Sequence, residues 1–273
     1  MPRDSYPKVR TPDGLNLAST LTEPDRAPSR AVLLVQGASV TREEGGFFTR
    51  LATALADVGV ASLRVDLPGH GDSEGRQEDL SLSSLLNVIR GSLEHLRSAV
   101  PGVRTSLVAA SFSGGAAAYY AAKRPEDVER LVLFNPLIDY RKRFVDEKST
   151  WSDDGYIDDE GAADLKKPGY LGHGPGFRLG RALLNEAFWF EARQSLPLIS
   201  APTFIVHGTA DTFISVESSR AASRELTCEH RLLLLDGAQH GLAVHDDPKY
   251  ADPQTQAWQR QVIREVQEWF GAA

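Results

Sequence analysis

The sequence predicts an α/β domain in which helices cover both faces of a mostly parallel, doubly wound sheet. Short, continuously apolar runs of the kind that form buried strands alternate with longer stretches whose apolar residues recur at helical spacing. Near the middle of the chain, a strand passes directly through a serine into small residues that begin a helix. Strand, helix and strand in this order build a parallel sheet through right-handed crossovers.

The first third of the chain predicts an edge hairpin followed by one unit of strand, helix and strand. Residues 9–21 read as two short strands around Asp13-Gly14, a dipeptide suited to the positive φ angles of a tight turn. Farther on, apolar residues recur at helical spacing up to Gly59, which ends the helix. The unit consists of a strand at 31–35, a helix at 47–58 and a strand at 60–65.

The middle third continues this alternation. Residues 66–73 form a loop by composition, and residues 82–96 follow as a helix with one leucine-rich face. A histidine in a loop with two glycines and a proline more often fixes the backbone than acts in catalysis, so His70 is interpreted as structural. The next elements are a strand ending near Ala110, a helix to about Lys123 and a strand at 131–135.

The alternation stops between residues 139 and 198. Long irregular insertions in compact domains are usually functional or mobile, so we expect a lid inserted into a core formed by 1–138 and 199–273. The aromatic side chains of this segment predict either an apolar substrate pocket or simple packing of the lid onto the core. Its acidic cluster is interpreted as a solvated face. The pocket candidates are Trp151, Tyr156, Phe188 and Trp189.

The last third returns to strands and helices. Residues 203–206 and 231–235 predict strands, and residues 216–226 predict a helix between them. A closing amphipathic helix carries apolar residues from Trp258 to Phe270 on one face, and it completes the cover of the sheet.

The serine in the middle of the chain has the surroundings of a nucleophile. A strand that reverses sharply into a helix needs small residues around its apex, because the two backbones nearly touch; Ala109, Ser113 and the two glycines after it supply that room. Ser111 then lies above the carboxyl edge of the sheet, at the positive end of the helix. Ser113 is the alternative apex, but the apolar run ends at the small residue two before Ser111, which favours Ser111.

Three loops at strand ends predict one site. In an open parallel sheet, the loops outside the carboxyl ends of the strands meet at a crevice. Ser111, Asp211 and His240 all lie in such loops, and their order along the chain is that of the α/β triads. Asp139, after the preceding strand, is an alternative acid, although the turn that holds Asp211 is the more typical one.

Each residue type is needed by the chemistry of acyl transfer. A serine hydroxyl is a poor nucleophile at neutral pH, so His240 would take its proton and return it to the leaving group, while Asp211 would fix the imidazole tautomer. The oxyanion would be held by two backbone amides, those of Ala38 and Phe112. Such donors contribute on the order of 3 kcal/mol each to transition-state binding.

Composition excludes several other classes of function. With 37 acidic and 30 basic residues the net charge is −7, and no basic run could neutralise consecutive phosphates, so we expect no nucleic-acid partner. The lone cysteine, the charged N-terminus and the lack of a stretch of roughly 20 apolar residues predict a cytoplasmic protein that does not enter a membrane. The scattered histidines show no zinc-ligand spacing, so we expect no metal and no cofactor.

Five motifs together resemble the α/β-hydrolase superfamily over nearly the whole chain. Within it, the sequence is similar to small-lid esterases, including cinnamoyl and feruloyl esterases, and its elbow is also similar to that of the acyl-transferase/thioesterase of bacterial luminescence. Gln36 stands where those esterases usually carry histidine, and Ala109 and Ser113 stand where elbow glycines are usual. The motifs are Val35-Gln36-Gly37-Ala38, Asp66-Leu67-Pro68-Gly69-His70-Gly71-Asp72-Ser73, Ala109-Ala110-Ser111-Phe112-Ser113-Gly114-Gly115, His207-Gly208-Thr209-Ala210-Asp211 and Gly237-Ala238-Gln239-His240-Gly241.

The residues and the resemblance together imply a serine hydrolase that cleaves carboxylic esters through an acyl-enzyme. The alternative is a thioesterase or acyltransferase that takes an acyl group from a carrier. A peptidase and a non-catalytic binding protein on the same fold are further alternatives. The expected partner is a small ester or thioester, and a homodimer is compatible with the sequence.

Overall fold

The computed structural model describes residues 1–147, 152–173, 176–247 and 249–271. These residues form thirteen strands: β1 (Arg3–Ser5), β2 (Lys8–Arg10), β3 (Asn16–Glu23), β4 (Arg30–Val35), β5 (Val60–Val65), β6 (Thr105–Ala110), β7 (Leu131–Phe134), β8 (Ser152–Asp153), β9 (Tyr156–Ile157), β10 (Tyr170–Gly172), β11 (Arg178–Gly180), β12 (Thr203–Gly208) and β13 (His230–Leu235). Their α-helices are α1 (Phe47–Asp57), α2 (Leu82–Ala99), α3 (Gly114–Lys123), α4 (Asp159–Lys166), α5 (Arg181–Ala187), α6 (Val216–Glu225) and α7 (Pro253–Gly271).

A single mixed sheet carries the fold, in the order β1-β3-β5-β4-β6-β7-β12-β13, with β2 paired to β3. Strands β5, β4, β6, β7, β12 and β13 are all parallel. Strands β1 to β3 add an antiparallel edge, which includes the predicted hairpin. Because β6, β12 and β13 run in one direction, the loops that follow them open at the same edge of the sheet.

The core lies on both faces of this sheet, as expected for strands that are apolar along their whole length. Alternate residues of β4 point to opposite sides: Leu33 packs in one apolar cluster and Leu34 in the other. Helices α2 and α3 cover the Leu33 side, and α1 and α7 cover the Leu34 side. A mutual hydrogen-bonding pair, Ser81 and Ser84, caps the start of α2.

Strands β12 and β1 illustrate how the structure differs from the prediction. β12 extends two residues beyond Val206, because its pairing with β13 continues to Gly208 and Leu235. β1 is absent from the prediction, since its three exposed residues have no apolar alternation and form a strand only by pairing with β3.

The segment 139–198 lies between β7 and β12. It begins with a π-helical turn at Lys142–Asp146, and its short strands pair only as two small hairpins, β8 with β9 and β10 with β11. Apolar side chains of this segment, such as Tyr140 and Leu179, belong to the cluster that also contains α2 and α3. None of the helices in the described ranges has both the length and the apolar character needed to cross a membrane.

Candidate active site

The turn after β6 holds Ser111 in a strained conformation at the edge of the sheet. The Ser111 φ angle is +49°, in the left-handed region that side chains other than glycine rarely adopt. Small neighbours are required here: a Cβ on Gly37 would lie 3.1 Å from the Cβ of Ser111, and a Cβ on Gly114 would lie 2.5 Å from the Cβ of Pro136. The sharp reversal predicted from the small residues is therefore present, with Ser111 at its apex.

Ser113, the alternative apex, has a different environment. It is buried, and its hydroxyl donates a hydrogen bond to the backbone carbonyl of Gln36 at 2.6 Å. This bond gives the serine at the usual glycine position a structural partner in the neighbouring loop.

Ser111, His240 and Asp211 form a continuous hydrogen-bonded chain. The Nε2 atom of His240 lies 2.8 Å from the Oγ atom of Ser111, and the Nδ1 atom of His240 lies 2.7 Å from Oδ2 of Asp211. A carboxylate only accepts hydrogen bonds, so Nδ1 carries the proton and Nε2 is left to accept the hydrogen of Ser111. The loops after β6, β12 and β13 thus bring together the three residues that their strand-end positions predict.

Several hydrogen-bond donors hold Asp211 as an anion. Its Oδ1 accepts the amides of Phe213 and Ile214 at 2.8 and 2.9 Å, and its Oδ2 accepts the side-chain amide of Asn135 at 2.5 Å as well as His240. Burial alone would raise the pKa of Asp211, but hydrogen bonds from His207, His240 and the Ile214 amide outweigh it and hold the pKa well below its ordinary value. The carboxylate therefore stays charged across neutral and mildly acidic pH.

His207 supports Asp211 from inside β12. Its Nε2 atom lies 2.9 Å from the Ile214 carbonyl and 3.3 Å from Oδ2 of Asp211, so this nitrogen carries a proton. Its Nδ1 atom lies 2.7 Å from the Ser219 hydroxyl, which donates to it. Sequence reasoning missed both His207 and Asn135, although each lies at the carboxyl end of a buried strand, where a polar residue is itself a signal.

The loop after β4 borders Ser111 and contains a buried carboxyl group that the sequence analysis also missed. Glu44 Oε2 accepts the amide of Gly37 at 2.8 Å, one residue before Ala38. Burial raises the pKa of Glu44 to about 7, although the Gly37 amide and the charge of His240 oppose the rise. Glu44, Ser111 and His240 share a small cavity of about 110 Å³. The side-chain amide of Gln36 donates to the Val40 carbonyl and so helps to fix this loop.

A larger cavity of about 370 Å³ opens beside Ser111. Both residues predicted to supply oxyanion amides, Ala38 and Phe112, line it together with Ser111 and His240. Its other walls are formed mainly by apolar side chains from the segment 139–198 and from the loop after Asp211. These further lining residues are Ser39, Val40, Leu137, Arg143, Phe144, His173, Phe177, Phe213 and Ile214.

Of the predicted pocket aromatics, the three that the structure describes do not line this cavity. Tyr156 and Trp189 are 69% and 67% exposed, and Phe188 borders a separate cavity with Arg141 and Glu191. Trp151 lies outside the described residues. The structure thus places Tyr156, Phe188 and Trp189 away from the cavity beside Ser111, and their role in a substrate pocket stays a prediction. An aromatic residue in an irregular segment gives no periodic signal of the side it faces.

The other polar candidates have structural partners. His70 is buried, with Nδ1 3.0 Å from the Pro68 carbonyl and Nε2 accepting the Ser39 amide at 3.3 Å, in line with the structural interpretation. Asp139 accepts the backbone amide of Lys142 at 2.9 Å, whereas the carboxylate on His240 is that of Asp211. Over the described ranges, no group of three or more histidine, cysteine or acidic side chains is placed to hold a metal ion.

Comparisons with known proteins agree with this architecture. The family model "Serine aminopeptidase, S33" matches residues 26–152. Human monoglyceride lipase is 29% identical over 141 residues, which is 50% of this chain and 45% of that protein, so the match spans less than half of the relative's length.

Solved structures match over almost the whole chain. Est1E from Butyrivibrio proteoclasticus superposes with a TM-score of 0.77 at 18% identity and covers 97% of both chains. The monoacylglycerol lipase of Paleococcus ferrophilus superposes with a TM-score of 0.69 at 23% identity and covers 94% of this chain and 98% of its own. The chain therefore has the α/β-hydrolase fold, which it shares with these solved structures.

Proposed function

We propose that this protein is a serine hydrolase that cleaves carboxylic esters through an acyl-enzyme on Ser111. The observation that carries the proposal is the hydrogen-bonded chain from Ser111 through His240 to Asp211, next to an apolar cavity of about 370 Å³. An apolar cavity with a few polar groups at one end is typical of a site for small substrates. The names of the similar proteins, a monoglyceride lipase and a monoacylglycerol lipase among them, support the same class of bond.

In the acylation step, Ser111, His240, Asp211 and the two oxyanion amides would each have a distinct role. As Ser111 Oγ attacks the carbonyl carbon, His240 Nε2 takes its proton, and Asp211 stabilises the resulting imidazolium. The amides of Ala38 and Phe112 would bind the oxyanion. Collapse of this intermediate breaks the bond to the alcohol, which leaves with the proton from His240.

Deacylation would repeat these steps with water. His240 takes a proton from the water as its oxygen attacks the acyl carbon, and then returns the proton to Ser111 Oγ as the acid leaves. Because Asp211 accepts the hydrogen bond from Nδ1–H throughout, the same tautomer of His240 serves both halves of the reaction.

An ester fits the cavity better than a peptide with a free amino terminus, although the matching family model is described as a serine aminopeptidase. Among the described residues that line the cavity, the charged side chain with a permanent charge is Arg143, and no carboxylate lines it. A cation there would repel an α-ammonium group.

The proposal extends to the lid and to the cellular compartment that the sequence predicts. Segment 139–198 would act as the lid, since Phe144, His173 and Phe177 contribute walls of the cavity. The free Cys228 suits a reducing compartment such as the cytoplasm. Thioester hydrolysis, acyl transfer from a carrier and a homodimer stay predictions from the sequence.

A fluorophosphonate probe tests the proposal, because it reacts covalently with an activated serine. We expect labelling of the parent protein, loss of labelling in Ser111→Ala, and labelling in the matched control Ser113→Ala. Hydrolysis of p-nitrophenyl butyrate should follow the same pattern. Absence of labelling and of hydrolysis in the parent protein would refute the proposed function.

A further inference from the structure

The cavity beside Ser111 combines an aromatic wall with one permanent positive charge. Phe112 contacts Phe177 edge to face with ring centroids 5.2 Å apart, and it packs against Phe144 at 6.3 Å. Phe213, another lining residue, stacks on the imidazole of His240 with ring centroids 5.3 Å apart. Arg143 also lines the cavity.

Arg143 differs from the cations beside it in the sequence. Arg141 pairs with Asp146 at 3.4 Å, and Lys142 pairs with Glu147 at 3.6 Å. The half-buried Arg143 forms no ion pair within 4 Å with a carboxylate of the described residues, and it also borders a second cavity that Asp139, Glu147 and Glu217 line. Arg143 and Phe144 are consecutive residues of the π-helical turn, and both line the cavity.

A substrate that fills this cavity would displace water from the guanidinium. Removing water from a charge costs free energy unless another group forms hydrogen bonds with it. A neutral hydrocarbon cannot do this, whereas a carboxylate forms two parallel, charge-assisted hydrogen bonds with an arginine. The cavity is therefore complementary to a ligand that is apolar along most of its length and anionic at one point.

We propose that the substrates of this enzyme are esters that carry a carboxylate, which Arg143 binds while the ester carbonyl lies at Ser111. The inference rests on the proposed function and names its substrate class. The carboxylate belongs either to the acyl chain, as in a half-ester of a dicarboxylic acid, or to the alcohol that leaves. Both arrangements use the same contact with Arg143.

Paired substrates separate the two arrangements. For the acyl side, p-nitrophenyl half-esters of dicarboxylic acids with six to ten carbons are compared with half-esters whose free carboxylate is replaced by a carboxamide. For the alcohol side, the butyrate ester of 4-hydroxybenzoate is compared with that of 4-hydroxybenzamide. The measured quantity is the ratio of kcat/KM for the charged substrate to kcat/KM for the neutral one.

The variants are Arg143→Met, Arg143→Lys and the matched control Arg141→Met, which removes the same charge two residues away. We expect a ratio of about ten or more in one of the two series, since hydrogen bonds to charged groups change equilibria by about that factor or more. Arg143→Met should lower that ratio at least tenfold, Arg143→Lys should keep part of it, and Arg141→Met should change it less than twofold.

A ratio near one in both series, or equal loss in Arg143→Met and Arg141→Met, would overturn the inference. Neutral esters that are hydrolysed only when Ser111 is present would then still support the proposed function. A second readout is independent of turnover: adipate should bind to Ser111→Ala at least tenfold more tightly than hexanoamide does, as measured by calorimetry. Adding Arg143→Met to Ser111→Ala should abolish that difference, and an unchanged difference would also overturn the inference.

Discussion

Replacing Asp211 by asparagine tests how the site holds His240. The substitution keeps the shape of the side chain but exchanges one acceptor oxygen for an NH₂ donor. In the parent protein, Oδ1 receives the amides of Phe213 and Ile214, and Oδ2 receives His240 and Asn135. An asparagine at 211 must therefore direct its NH₂ group at other hydrogen-bond donors, whichever way the amide is turned.

The less costly orientation leaves the oxygen on the two backbone amides. The NH₂ group of the new side chain then faces His240, which must move its proton from Nδ1 to Nε2 to accept a hydrogen bond. Nε2 lies 2.8 Å from Ser111 Oγ and, once protonated, cannot take the serine proton. In serine proteases an aspartate-to-asparagine exchange that forces this tautomer lowers kcat about 10⁴-fold, and we expect a loss of about 10³ to 10⁴-fold here.

The assay is steady-state hydrolysis of p-nitrophenyl butyrate, with KM expected to change far less than kcat. Asp236→Asn is the matched control: the residue is exposed in the loop after β13, bonds Thr209, and should keep kcat within twofold. Thermal unfolding checks that both variants are folded. A folded Asp211→Asn protein that keeps kcat within tenfold of the parent would refute the reasoning.

Two further variants test the surroundings of the site. Glu44 has its pKa raised to about 7, so the native state takes up a proton on acidification well before the unfolded state does, and unfolding free energy falls as pH rises from about 4.5 to 7. Glu44→Gln removes this dependence on pH. From pH 5 to pH 8, the unfolding free energy of the variant should therefore rise by about 2 to 3 kcal/mol relative to that of the parent, as measured by urea unfolding. A difference between the two proteins that stays constant with pH would contradict the raised pKa of Glu44. Tyr140→Phe removes a buried hydroxyl that accepts the Ala116 amide at 3.0 Å and donates to the Phe112 carbonyl at 2.7 Å. It should lower the unfolding free energy by about 1 to 3 kcal/mol and also reduce kcat, because the Phe112 amide is a predicted oxyanion donor; unchanged stability would show that these groups find other partners.

Much of the fold is predictable because the local pattern of apolar residues indicates which segments are buried. Residues 60–65 are continuously apolar except at two positions, and they form β5 with the predicted bounds because both faces of the sheet are covered. The approach of Ser111, Asp211 and His240 is also predictable, since the carboxyl ends of parallel strands meet at one edge.

The missed residues depend on contacts between distant parts of the chain. The side chain of Asn135 meets Asp211 across 76 positions of sequence, and nothing in its own neighbourhood specifies that partner. Glu44 reads as one more acidic residue in a polar loop, yet the fold buries it on the Gly37 amide. The exposure of Tyr156 and Trp189 could not be predicted either, because the irregular segment 139–198 has no period that indicates which side chains face inward.

The most direct test of the proposed function is the mass of the intermediate. The parent protein is mixed with p-nitrophenyl butyrate, stopped in acid within milliseconds and digested for peptide mass spectrometry. An acyl-enzyme on Ser111 adds one butyryl group to the peptide that contains that serine, and the adduct should be absent from Ser111→Ala. A butyryl group found on another residue, or full turnover by Ser111→Ala, would contradict the account.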